Sequence, residues 1–82
     1  MKLVELETFQ RIRQRIRENG DEDAALRKAI MSVIKRPGSG DHLKGLCMDI
    51  QCYVYAVDDM QRHLIYCIRE DRLYLMSAGP WS

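Results

Sequence analysis

The stretch from Leu43 to Gly79 constrains this chain most, because its side chains alternate with the period of a half-buried strand. From Met48 onward, Met48, Ile50, Cys52, Val54 and Ala56 fall on one side, and Asp49, Gln51, Tyr53 and Tyr55 on the other. Two further runs, His63 to Ile68 and Leu73 to Ala78, are rich in Ile, Leu and Tyr, which suit a pleated surface. Asp58-Asp59 and Glu70-Asp71 separate the runs where hairpin loops are required, although neither pair is the Asn-Gly or Asp-Gly of a tight turn. The pattern predicts three consecutive antiparallel strands, a meander.

A sheet with one apolar face needs a cover, and the N-terminal half supplies two helices. Leu3, Leu6, Phe9, Ile12 and Ile16 recur at steps of three and four. Thr8 is the expected N-cap after an extended lead from Met1 to Leu6; a start near Leu3 is the alternative. Asn19-Gly20 ends this helix, since glycine takes the left-handed conformation without penalty. Asp21 is the expected cap of a second helix, with Glu22 and Asp23 in its first turn, where the dipole favours negative charge. Ala25, Leu26, Ala29, Ile30, Val33 and Ile34 form its stripe, and Pro37 stops it. The expected fold is α+β: an antiparallel helix hairpin (residues 8–19 and 21–36) on a three- to four-stranded antiparallel sheet over about 46–79. A chain of 82 residues has room for one such domain, spanning 1–82.

Composition narrows the function classes. With 46% hydrophobic and 30% charged residues the chain is globular rather than disordered. No apolar run approaches the roughly 20 residues that span a bilayer, and Glu5, Glu7 and Arg11 interrupt any signal-peptide core. A cytoplasmic location without membrane contact is expected. Cys47, Cys52 and Cys67 are odd in number and lack Cys-x-x-Cys spacing, so they are expected to be reduced and structural, with no metal and no cofactor. A net charge of +1 does not itself predict a polyanion partner; local clustering has to supply the attraction.

Four arginines provide one candidate cluster. Arg11 and Arg15 form one row on the first helix and Arg13 and Arg17 another, able to hold phosphates or an acidic partner segment, or simply to face solvent. His42 and Lys44 flank the start of the meander, and Arg62 and His63 open its second strand. His63 can serve as a general acid or base near neutral pH, or be only structural, since no carboxylate accompanies it at a telling spacing. No phosphate loop, nucleophile motif or paired-carboxylate pattern is present.

The order helix, helix, Leu43-Lys44-Gly45-Leu46, Arg62-His63-Leu64-Ile65-Tyr66 and Leu73-Tyr74-Leu75-Met76-Ser77-Ala78-Gly79 resembles the RelE/ParE superfamily, toxins of bacterial type II toxin–antitoxin modules. The resemblance in layout covers nearly the whole chain. RelE-like members cut mRNA on the ribosome; ParE-like members inhibit DNA gyrase by contact; both are neutralised by an antitoxin. Translation inhibition by mRNA cleavage is the first expectation from this resemblance. A gyrase inhibitor, or a truncated non-catalytic module that only binds antitoxin or forms homo-oligomers, is the alternative. By the same resemblance Arg62 matches a strand arginine on the scissile phosphate, and Lys44 a basic residue before the sheet. The family's closing segment continues past its glycine with His or Arg and then Tyr, whereas here Gly79-Pro80-Trp81-Ser82 follows. Trp81 is then an interface residue, or it packs on the edge of the core.

Overall fold

The computed structural model describes residues 2–37, 40–42 and 50–80. Strand β1 (Lys2–Glu5) is followed by helices α1 (Glu7–Ile16) and α2 (Gly20–Lys35). Then come the two-residue strand β2 (Asp41–His42) and strands β3 (Ile50–Val57), β4 (Met60–Arg69) and β5 (Arg72–Gly79). They form one sheet in the order β1-β5-β4-β3-β2. The meander and the helix pair are as the sequence predicts. Lys44, Cys47, Met48 and Trp81 lie outside the described residues.

The extended lead proves to be a strand with a partner. β1 runs parallel to β5, pairing Lys2 with Arg72 and Glu5 with Leu75, so the sheet is mixed rather than purely antiparallel. Leu6 N still donates to Leu75 O at 3.1 Å, while Leu6 O already accepts from Gln10 N at 2.9 Å. Leu6 therefore stands at the junction of sheet and helix, and it, not Thr8, is the N-cap of α1. The cap of α2 also moves: Asn19 Oδ1 accepts from Asp21 N and Glu22 N at 3.2 and 3.3 Å. Asn19 thus satisfies two orphan N–H groups of α2 instead of closing α1, which ends at Ile16. Gly20 is the first residue of α2 rather than a C-cap glycine.

α1 packs over β5 and α2 over β3. Phe9, Leu26, Val33, Leu64, Tyr66, Leu73 and Leu75 are fully buried between them. Cross-strand register assigns the faces, since directly opposed residues share a side. Gln51, Tyr53 and Tyr55 oppose Tyr66, Leu64 and Arg62, and this set faces the helices. Ile50, Cys52 and Val54 oppose Cys67, Ile65 and His63, on which neither helix packs. The covered set of β3 is thus the one that holds the tyrosines. The tyrosines carry the larger apolar area, and α2 meets them with the small side chains Ala25, Ala29 and Ser32.

Tyr66 shows how tightly the covered face is closed. Its hydroxyl lies 2.9 Å from Gln51 Oε1, which accepts its proton, and 3.3 Å from the Pro37 carbonyl oxygen. A Cβ at Gly40 would sit 2.2 Å from that hydroxyl oxygen, so only glycine fits there. The turn between β4 and β5 has Glu70 at φ 48° and Asp71 at φ 62°, the two left-handed central residues of a type I′ hairpin. A bulge follows in β5. Ile65 pairs with Ser77 but Tyr66 with Leu75, leaving Met76 as the extra residue. The bulge shifts the alternation, so that Leu73 and Leu75 enter the core while Ser77 and Gly79 join the other face.

Candidate functional site

Arg62 and His63 are neighbours in sequence, and the strand sends them to opposite sides of the sheet. Arg62 points under α2 and is 8% exposed. Its Nε donates to Glu22 Oε1 at 2.9 Å and its guanidinium also reaches the Gln61 carbonyl oxygen at 3.1 Å. The pair joins the first turn of α2 to β4, and Glu22, forty residues away in sequence, could not be anticipated from spacing. Tyr55 lies opposite Arg62 in the ladder. Burial, reinforced by the Glu22 carboxylate and opposed by Arg62, pushes the Tyr55 phenol up to about 12.

His63 faces the side without helices. It lines an open cavity of about 500 Å³ with Ile50, Ile65, Met76, Ser77 and Gly79. The remaining lining residues are Leu6, Thr8, Ala78 and Pro80, so His63 is the cavity's one ionisable side chain among the described residues. Gly79 pairs with His63 across the ladder at φ +132°, a backbone state reserved for glycine, and it leaves the imidazole's neighbouring position without a side chain. Beside the cavity, Cys52 and Cys67 are buried thiols of the same face.

The structure therefore does not bring Arg62 and His63 together, and Lys44 and Trp81 lie outside the described residues. The helix arginines are divided as well. Arg13 is half-buried and its Nη1 donates to Glu5 Oε1, tying α1 to β1. Arg11 makes an exposed pair with Glu7 at 2.7 Å, one turn away. Arg15 and Arg17 are exposed.

A second depression of about 660 Å³ lies between α2 and β3, lined by Ala24, Ala25, Lys28, Ser32, Tyr53 and Tyr55 among others. Among the described residues β2 covers β3 only at Gln51 and Cys52. From Tyr53 to Val57 the outer edge of β3 has no strand partner among the described residues, which is an available pairing edge.

The sequence profile described as ParE-like toxin of type II bacterial toxin-antitoxin system matches residues 3–82. Among solved structures, the fold is similar to the crystal structure of a copper-bound mutant toxin from Helicobacter pylori. The two share 22% identity at a TM-score of 0.72, over 98% of this chain and 93% of that one. A search of curated protein sequences returned no match. With a profile match over nearly its whole length, the chain belongs to the ParE-like toxin family of type II bacterial toxin–antitoxin systems.

Proposed function

We propose that this chain is the growth-arresting toxin of its module, acting in the cytoplasm by binding its target rather than by cutting RNA. DNA gyrase is the target that the family resemblance offers. The observation that carries this reading is the division of groups between the two faces of the sheet. Phosphodiester cleavage needs a base for the 2′-hydroxyl, an acid for the leaving oxygen and a cation for the extra phosphate charge. Among the described residues the cavity beside His63 holds no carboxylate, lysine or arginine. Arg62 is neutralised by Glu22 beneath α2. A toxin that works by contact needs none of these groups at one point.

One observation favours mRNA cleavage as a second reading. His63 places an imidazole on an open cavity, where it would serve proton transfer. Pulse-labelling of bacteria with thymidine and with an amino acid just after induction separates the two. Thymidine incorporation falling first supports action on gyrase. Amino-acid incorporation falling first, and abolished by His63→Ala, overturns that reading in favour of RNA cleavage.

The partner that neutralises the toxin is an antitoxin, as the family implies. The edge of β3 from Tyr53 to Val57, unpaired among the described residues, suits an added antitoxin strand, whose side chains would enter the depression lined by Ala25, Lys28 and Ser32. Amide exchange that slows at these residues on complex formation supports this placement; unchanged exchange there removes it.

A further inference from the structure

The register of three adjacent strands sets Lys2, Arg72 and Arg69 side by side. Lys2 of β1 opposes Arg72 of β5, and Arg72 opposes Arg69 of β4. All three are exposed and lie on the face without helices, at the end far from His63. Like charges directly opposed across a ladder weaken a sheet. Here two such contacts stand in a row, and among the described residues none of the three cations has an ion-pair partner. The nearest carboxylates in sequence, Glu70 and Asp71, are the two left-handed residues of the turn that places Arg69 opposite Arg72.

The next rung inward on β5 is Tyr74, on the same face, between Val4 and Cys67. It is partly exposed. From Arg69 to His63 the face extends six residues along β4, or roughly 20 Å at strand spacing. Guanidinium groups bind phosphate oxygens in a bidentate way. A partly exposed aromatic ring beside them stacks an unpaired base. An acidic protein segment would satisfy the cations but makes no use of the ring.

We propose that Lys2, Arg69, Arg72 and Tyr74 form a binding site for the phosphodiester backbone of single-stranded nucleic acid, the triad holding phosphates and Tyr74 a base. The site is independent of the cavity at His63 and holds whichever target the toxin engages.

The test uses the full chain and fluorescent oligonucleotides, ten nucleotides of U or of dT, with binding followed by anisotropy between 50 and 200 mM salt. Neutralising three phosphate contacts gives a salt slope steeper by about 2 on logarithmic axes. The triple variant Lys2→Gln, Arg69→Gln, Arg72→Gln loses that slope and at least about tenfold in affinity at 50 mM salt. Tyr74→Leu weakens binding about fivefold or more with the slope unchanged. Circular dichroism checks that both variants keep the wild-type fold, and the triple variant, relieved of like-charge contacts, is expected to be at least as stable. A preference for U over dT assigns an RNA source and the reverse a DNA source; either supports the site. Equal affinity and slope in the triple variant, or displacement of the oligonucleotide by polyaspartate at lower concentration than by an unlabelled copy of itself, overturns it.

Discussion

The two faces of this sheet are made by the same strands but are built by different rules. The face under the helices is closed: Leu64, Tyr66, Leu73 and Leu75 are fully buried, and its one arginine, Arg62, is paired with Glu22. The other face leaves Val54 45% exposed, opens a cavity at His63 and lines up three exposed cations that have no ion-pair partner among the described residues. Single residue steps move a side chain from one regime to the other, as Arg62 and His63 show. What differs is the standard each face meets. One maximises packing and satisfies its polar groups, while the other keeps charge and apolar surface available to a partner.

The sharpest way to break this contrast is truncation on each side. Leu75→Ala on the covered face should lower unfolding free energy by about 3 kcal/mol, near the low end for a fully buried leucine. Val54→Ala on the open face should change it by less than about 0.5 kcal/mol. Equal denaturant midpoints for the two variants would show that the faces are not distinct.

Next in size is the buried pair. Arg62→Ala should cost about 2 kcal/mol, because it strands the Glu22 carboxylate under α2. Glu22→Gln should cost less, and a double-mutant cycle should return a coupling energy. His63→Ala should leave the midpoint nearly unchanged. A reversed order would mean that the imidazole, not the ion pair, holds the strand.

A smaller effect is expected at the β4–β5 turn. Replacing Glu70 with Asn and Asp71 with Gly gives the sequence that relaxes a type I′ turn. The double variant should be stabilised by about 1 kcal/mol. Loss of stability there would show that the carboxylates contribute more than their backbone strain costs.

The smallest effect is a pH dependence at the border of the covered face. The Tyr55 phenol is raised to about 12 by burial, so the folded state holds its proton more tightly than the unfolded state. Its contribution to stability is complete below pH 10 and is lost as pH rises from 10 towards 12. Tyr55→Phe should flatten the alkaline limb of the stability curve, and an unchanged limb would place Tyr55 in solvent.

Much of the architecture is legible in the residues. The stripe of Phe9, Ile12 and Ile16, the stripe from Leu26 to Val33, and the three runs of the meander all reappear as elements. What the alternation leaves undecided is orientation. Ile50, Cys52 and Val54 look more apolar than Gln51, Tyr53 and Tyr55, yet the second set faces α2. Burial in a sheet follows area and fit against the covering helix, and Tyr66 satisfies Gln51 within the core. The caps differ by small shifts because Leu6 and Asn19 are chosen by tertiary context, the first by its bond to Leu75. The site was less legible. Glu22 and Arg62 are forty residues apart, and Lys2, Arg69 and Arg72 meet only through a parallel pairing that no local pattern announces.

That parallel pairing of β1 with β5 also orders events during synthesis. Residues 2–5 are translated well before their hydrogen-bonding partners at 72–75. Until they emerge, β4 lacks one neighbour, β1 lacks its only one, and α1 has no β5 to cover. Contacts of such sequence separation close late. A nascent chain therefore carries α1 without its sheet partner until residues 72–75 have emerged. Both surfaces, the His63 cavity and the cationic triad, need β5 and come into being only with it. A chain still short of β5 consequently offers neither surface to a target.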